Sequence, residues 1–370
     1  MRMAEDMFCV GCGATLQTEH PDSVGYTPAS ALKNESALCQ RCFRLKHYNE
    51  IQDVDMSDDD FLNLISSIAH TDSLVVHLVD IFDVSGSLIP SLKRITGKNP
   101  IMLVGNKMDI LPKSTNEQRL KQWLKKEAQQ LGLTVEDVYL ISSRKGTGID
   151  ALTKRIEEKR QGKDVYIVGT TNVGKSTFIN RLIKETTGEQ NVITTSYFPG
   201  TTLGFIEIPL DEDTALIDTP GLVNAEQMAH YVSKDDLKII TPKTEIKPRV
   251  YQLNQEQTLF LGGLCRFDFE KGDRQSFVCY FANGLPIHRT KLSKADALYH
   301  EHLGKLLSPP DDQTIEILPE MTTHTFKITE PRTDIVFFGL GWISAIEGDA
   351  TVTVHIPKHV RVALRKSLIQ

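Results

Sequence analysis

No apolar run in this chain approaches the roughly 20 residues that a membrane-crossing helix needs, and no repeat or low-complexity tract interrupts it. Positive charge is not in excess either. The formal net charge is -6, which argues against a globally basic nucleic-acid binder and confines any RNA contact to a local patch. Cysteine is scarce, 6 in 370 residues, yet four of the six fall in two CxxC pairs. No hydrophobic signal peptide opens the sequence, since Met1 to Met7 include Arg2, Glu5 and Asp6. A reducing, cytoplasmic setting is therefore expected, without membrane contact. No helix-turn-helix or recognition-helix pattern is present, so DNA is not an expected partner. The length allows two or three domains.

The strongest positive signal is GTTNVGKS, in which Gly169, Gly174, Lys175 and Ser176 satisfy GxxxxGK[ST] in full. Asp164 to Val168 reads as a buried strand and Thr177 to Lys184 as an amphipathic helix, which places the loop at a strand-to-helix turn. Glycines there let backbone N–H groups approach phosphate oxygens at a positive helix end. Lys175 is expected to neutralise the β and γ phosphates and the Ser176 hydroxyl to ligate Mg²⁺, with Thr171, Asn172, Val173 and Thr177 completing the loop's contacts.

The second signal is NKMD, after the short apolar run Pro100 to Gly105. One Asp carboxylate can accept from both N1–H and the 2-amino group of guanine, a donor pair that adenine lacks, which makes Asp109 the specificity residue. Asn106 would reach the N7/O6 edge, and the Lys107 stem would cover the ring. Three weaker segments fit the same ligand. Ser142, Ser143, Arg144, Lys145 and Gly146 follow a strand-like run and resemble the loop that backs guanine O6 with amide groups. Asp218-Thr219-Pro220-Gly221 is a DxxG, whose Asp218 would hold Mg²⁺ through water and whose Gly221 N–H would face the γ-phosphate. Pro199-Gly200-Thr201-Thr202 offers a threonine hydroxyl to the metal, Thr202 in preference to Thr201.

The base-selecting motif precedes the phosphate loop, which inverts the usual order. Loops after different strands of an open parallel sheet converge whatever their order along the chain, so an inverted order leaves the site possible. The expected fold is α/β: a P-loop GTPase domain with circularly permuted motifs over residues 56–230, preceded by a Cys₄ zinc finger over 1–55 and followed by a β-rich domain over 231–370. Six strands are expected in the GTPase domain, the first at Leu74 to Asp80. Helices are expected near Gly86 to Thr96, Thr115 to Leu131, Ile149 to Arg160 and Thr177 to Lys184.

Leu222 and Val223 follow Gly221, and an apolar side chain cannot polarise the attacking water, so turnover should be slow or use another group. Asn172 offers one, since an Asn at this place in GTPases helps bind a monovalent cation; K⁺ stimulation is the hypothesis, beside the plain reading of Asn172 as a loop-stabilising amide. The catalytic set is then Lys175, Asn172, Thr202 and Gly221.

Cys9, Cys12, Cys39 and Cys42 form two CxxC knuckles, the donor set of a closed structural Zn²⁺ site, with residues 13–38 as a long intervening loop. Around the second knuckle, Arg41, Phe43, Arg44, Lys46, His47 and Tyr48 mix bases with aromatics. That composition suits RNA stacking and suits equally the packing of a small finger on its neighbour. Downstream of residue 230, short apolar runs at Thr258 to Leu261, Ser276 to Phe281, Asp334 to Phe338 and Thr351 to Ile356 argue for antiparallel strands, with one helix at Ser293 to Leu307.

Finger, NKMD, SSRKG, GTTNVGKS, PGTT and DTPG in this order resemble the circularly permuted bacterial GTPases typified by YqeH, over the whole chain. The resemblance implies a role in small-subunit (30S) ribosome assembly, with the 30S particle or its precursor and rRNA as partners, GTP/GDP, Mg²⁺ and Zn²⁺ as cofactors, and a tail similar to a Trp RNA-binding attenuation domain. Plant organelle relatives were once described as nitric oxide synthases, but the sequence offers no haem, flavin or nicotinamide motif for that activity. A GTPase switch acting only on protein partners, with a purely structural finger, would read almost identically.

Overall fold

The structure, a computed structural model, describes residues 7–33, 37–48, 55–56, 65–90, 92–187 and 205–369. The segment Pro199 to Thr202, with both candidate threonines Thr201 and Thr202, lies outside the described residues. The chain forms two compact units, one of Met1–Met108 with Lys121–Asn224, the other of Asp109–Leu120 with Ala225–Gln370. The finger belongs to the first unit.

The first unit is built on a six-stranded sheet. Its strands are β1 (Ser73–Asp80), β2 (Ile101–Asn106), β3 (Asp137–Leu140), β4 (Asp164–Val168), β5 (Ile206–Pro209) and β6 (Ala215–Asp218). Their spatial order is β3-β2-β1-β4-β6-β5, with every neighbouring pair parallel except the antiparallel β5 and β6. β1 and β2 are buried almost end to end, as strands covered on both faces must be, and hence read as continuous apolar runs. His77 is the exception in β1. Burial holds its imidazole down at about 4, so it is neutral, and its Nε2 accepts from the Ile89 amide at 3.3 Å.

Register aligns the strand ends. Asp80 pairs with Asn106, Gly105 with Leu140, His77 with Val168 and Ile167 with Asp218. The loops after β1, β2, β3, β4 and β6 therefore leave from one edge of the sheet.

Helices occupy Glu117–Gln130, Ile149–Arg160 and Lys175–Thr187, close to expectation. The helix expected over Gly86 to Thr96 is instead two short ones, Val84–Ser87 and Leu92–Thr96. The break falls around Pro90. A proline lacks the amide that would continue the first helix and disfavours α backbone in the residue before it.

The second unit holds two antiparallel sheets of five strands each. In the first, Ile287–Lys291, Gln257–Leu261, Cys265–Lys271, Ala350–Pro357 and Met321–Ile328 lie side by side in that order. In the second the order is Val362–Lys366, Thr333–Phe337, Gly341–Ala345, Gln275–Phe281 and Arg249–Leu253. Phe267 and Phe269 meet Phe277 edge-on, each at 5.1 Å between ring centroids, in the fully buried core. Cys265 and Cys279 are part of that core, and burial pushes both thiols up, which suits packing and not metal binding. The helix expected to reach Leu307 ends at His302, because Leu303 turns extended and Gly304 takes a left-handed φ of 72°.

Residues just after NKMD also belong to this unit. Ile110 O accepts from the Ile246 amide at 2.8 Å, and the Lys113 amide donates to Glu245 Oε1 at 2.9 Å. No helix among the described residues is long and apolar enough to cross a membrane.

Candidate functional site for nucleotide and metal

The phosphate loop leaves β4 and runs directly into the helix Lys175–Thr187. Its sharp turn needs left-handed backbone at Asn172, φ 63°, and at Gly174, φ 88°. A side chain at Gly174 would also fail sterically, since its Cβ would lie 2.5 Å from Asn106 Nδ2. At Gly169 a Cβ would come within 2.7 Å of the Leu78 carbonyl on the neighbouring strand. The two motif glycines are thus the points where the loop touches its surroundings most closely. Lys175 and Ser176 are buried at the helix start, where the helix dipole favours an anion, while Asn172 and Thr177 are exposed.

Asn106, at the end of β2, ties three loops together. Its Nδ2 donates to Val173 O at 2.9 Å, in the phosphate loop. Its Oδ1 accepts from both the amide and the hydroxyl of Ser143, each at 3.0 Å. One Nδ2 hydrogen is left for a ligand, so Asn106 is first a junction and only then a contact to the purine. Ser142 shapes the same loop, its Oγ accepting from the Lys145 amide at 3.1 Å and its carbonyl from the Gly146 amide at 2.7 Å. Arg144 is exposed beside it. Asp109 lies in the single turn Met108–Ile110 that follows.

Lys107 adds a second tie. Its ammonium donates to Asn172 O at 2.6 Å and to Asp80 Oδ2 at 2.7 Å, while its backbone sits at φ 69°. Sequence reasoning placed Asp80 only as a strand end. The signal available was a lone carboxylate closing a buried apolar strand on the edge where ligands bind.

The DxxG segment lies along the phosphate loop. The Thr171 amide donates to Leu222 O at 2.9 Å, and the Leu222 amide to Gly169 O at 3.2 Å. A Cβ at Gly221 would sit 3.0 Å from Thr171 Cγ2. Asp218 is 1% exposed; its Oδ1 stands 3.3 Å from Lys175 Nζ and has no hydrogen-bonding partner among the described residues. A buried carboxylate oxygen without a hydrogen-bonding partner beside Lys175 Nζ, together with the Ser176 hydroxyl at the start of the helix, supplies the oxygen donors that a hard cation with retained waters would use, so these residues fit Mg²⁺.

The four cysteines of the finger come together, all buried, with their sulfurs within 4.8 Å of one another. A tetrahedral zinc with Zn–S bonds of about 2.3 Å spaces its sulfurs about 3.8 Å apart, and Cys12 Sγ lies 3.8 Å from Cys39 Sγ. Cys9 Sγ accepts from the amides of Gly11 at 3.4 Å and Cys39 at 3.2 Å. Hydrogen bonds from the other three thiols pull Cys9 below the ordinary thiol range. Cys39 and Cys42 are pushed up, chiefly by Cys12, because four thiolates cannot share this space without a cation. The set fits zinc.

The helix after the second knuckle, Gln40–Tyr48, sorts the mixed basic and aromatic residues by face. Arg41, Cys42 and Leu45 are buried, whereas Phe43 and Tyr48 are 45% and 63% exposed. Phe43 lies 4.4 Å from the His47 ring, and the Arg44 guanidinium 5.9 Å over Tyr48. Arg41 turns inward to the DxxG motif: its Nη2 donates to the Asp218 carboxylate and, at 3.2 Å, to the Asp218 carbonyl. The sequence carries no signal for that pair, whose members stand 177 positions apart.

Comparison with known proteins agrees with this architecture. The family described as "50S ribosome-binding GTPase" matches residues 164–257, and the family described as "YqeH-like, C-terminal" matches residues 274–368. YqeH of Bacillus subtilis, described as uncharacterized, is 58% identical over 365 residues, covering 99% of this chain and 100% of its own. NO-associated protein 1 of Arabidopsis thaliana is 31% identical over 97% of this chain and 76% of its own length. GTPase Der of Methylococcus capsulatus is 31% identical over 48% of this chain and 39% of its own. With its cysteine finger, its phosphate loop following NKMD and its antiparallel tail, the chain belongs to the YqeH family of circularly permuted GTPases.

Proposed function

We propose that the chain is a GTP-hydrolysing switch in the assembly of the small (30S) ribosomal subunit, acting in the cytoplasm through rRNA contact. The observation that carries the nucleotide part is the Asn106 junction, where base-side and phosphate-side loops are hydrogen-bonded to one side chain. Asp109 then accepts from guanine N1–H and the 2-amino group. Lys107 covers the ring, Asn106 faces the N7/O6 edge, and the amides of Ser142, Ser143 and Arg144 back O6. Thr171, Asn172, Val173, Gly174, Lys175, Ser176 and Thr177 surround the phosphates, with the Gly221 amide toward the γ-phosphate. Ser176, Asp218 through water, and Thr202 would hold Mg²⁺, which when bound neutralises charge across the β and γ phosphates.

Hydrolysis is slow in this reading, because Leu222 stands where a water-polarising side chain would help. Asn172 recruits K⁺ in its place. The RNA part is supported by the exposed aromatic and basic face of helix Gln40–Tyr48, where Phe43, His47 and Tyr48 can stack on unpaired bases beside Arg44.

Asp109→Asn should lower GTP affinity at least about 100-fold, since two charge-assisted hydrogen bonds of about 1.5–3 kcal/mol each are lost, and should raise preference for xanthosine triphosphate, whose C2 carbonyl needs a donor. Unchanged guanine selectivity would contradict the assignment. Steady-state hydrolysis should be faster in potassium than in sodium buffer, and equal rates would remove the role given to Asn172. Co-sedimentation with separated ribosomal subunits, in GDP and in a nonhydrolysable GTP analogue, tests the cellular role. Nucleotide-dependent retention on 30S particles is expected; retention only on 50S particles, or on neither, would overturn it.

A further inference from the structure

Arg41 joins two centres that lie far apart in the sequence. It sits between Cys39 and Cys42, so metal binding by the four cysteines fixes its backbone. Its side chain is 3% exposed, and the guanidinium meets the Asp218 carboxylate through Oδ2 and the Asp218 carbonyl at 3.2 Å. A buried guanidinium paired with a carboxylate is tolerable where a lone one is not.

The geometry assigns the two oxygens of Asp218 to different partners. Oδ2 and the main chain are taken by Arg41. Oδ1 stays without a hydrogen-bonding partner among the described residues and faces Lys175 Nζ at 3.3 Å. A free carboxylate could rotate and present either oxygen, and clamping one of them removes that freedom.

We propose that Arg41 is a positioning residue of the magnesium site: by holding Oδ2 it presents Oδ1 to a metal-bound water, so that the zinc knuckle sets the metal affinity of the nucleotide site. This rests on the proposed role of Asp218 as a magnesium ligand through water. Hydrogen-bonding partners behind metal-binding carboxylates change metal affinity by roughly 10- to 100-fold when removed, and that is the effect Arg41 exerts here. Lysine is an incomplete substitute, because a point charge on a flexible stem lacks the guanidinium's planar array of donors.

The test titrates Mg²⁺ against the binding of a fluorescent nonhydrolysable GTP analogue to the full, zinc-loaded chain, with affinity in buffer free of Mg²⁺ and of chelator, and zinc content, measured alongside. For Arg41→Gln the Mg²⁺ midpoint should rise roughly 10- to 100-fold, with Mg²⁺-free affinity and zinc content unchanged, and Arg41→Lys should recover part of the shift. An unchanged midpoint overturns the proposal. A lower midpoint does so too, since Arg41 would then compete with the metal. An equal loss with and without Mg²⁺ would make Arg41 a structural pin and likewise overturns it. If Arg41→Gln does not fold, Arg41→Lys decides, and a midpoint at or below that of the unaltered chain counts against the proposal. Asp218→Ala separates the two readings. No midpoint shift there defeats the magnesium role of Asp218 itself, whereas a shift there without one in the Arg41 variants defeats only the inference about Arg41.

Discussion

A parallel sheet delivers the carboxyl ends of its strands to one edge whatever the order in which the chain visits them, and the rest of this molecule depends on that register. Asp80 beside Asn106, His77 beside Val168, and Ile167 beside Asp218 bring the loops after four strands to one place. Hydrogen bonds then lock them. Asn106 binds the loops at Val173 and Ser143, and Lys107 binds Asn172 and Asp80. The Asn106 ties are buried, where an unmade hydrogen bond costs about 1–3 kcal/mol, and the Lys107–Asp80 pair is half-buried while the bond to Asn172 is exposed, so the loops are held in place chiefly through Asn106. Permuting the chain changes which ends are covalently joined and leaves these contacts available.

What permutation does change is where the chain goes next. It passes from the first unit to the second after Met108, returns at Lys121, and leaves again after Asn224. The DxxG segment leads into the C-terminal region directly. The base-side turn is tied there as well, through Ile110 and Lys113 to residues 245 and 246. Both motifs are therefore covalently continuous with the β-rich unit. Within the first unit, Arg41 links the finger noncovalently to the Asp218 carboxylate beside Lys175.

Much of this was legible in the sequence, and for local reasons. Gly169 and Gly174 are readable because backbone or side-chain atoms stand where a Cβ would go. β1 and β2 are readable because strands covered on both faces must be apolar throughout. The CxxC pairs are readable because a tetrahedral thiolate site restricts spacing. Features set by contacts across the fold were not legible. The junction role of Asn106, the clamp of Asp80 on Lys107 and the Arg41 pair depend on residues that meet only once the sheet is formed. Arg41 in particular stood in the sequence as one of several bases near aromatics, and folding separates it from them by turning it inward. The break of the 84–96 segment at Pro90 is a different case, since the residue was in view and its steric effect outweighs the apolar periodicity around it.

The phosphate loop, the DxxG motif and the finger form one physical unit, joined at Asp218. Amide hydrogen exchange over residues 37–48 and 215–222, measured without nucleotide, with GDP and with Mg²⁺ and a nonhydrolysable GTP analogue, tests it most directly. Both segments should gain protection together, most with the triphosphate and metal. Protection of residues 215–222 with no change in the knuckle and its helix would contradict it.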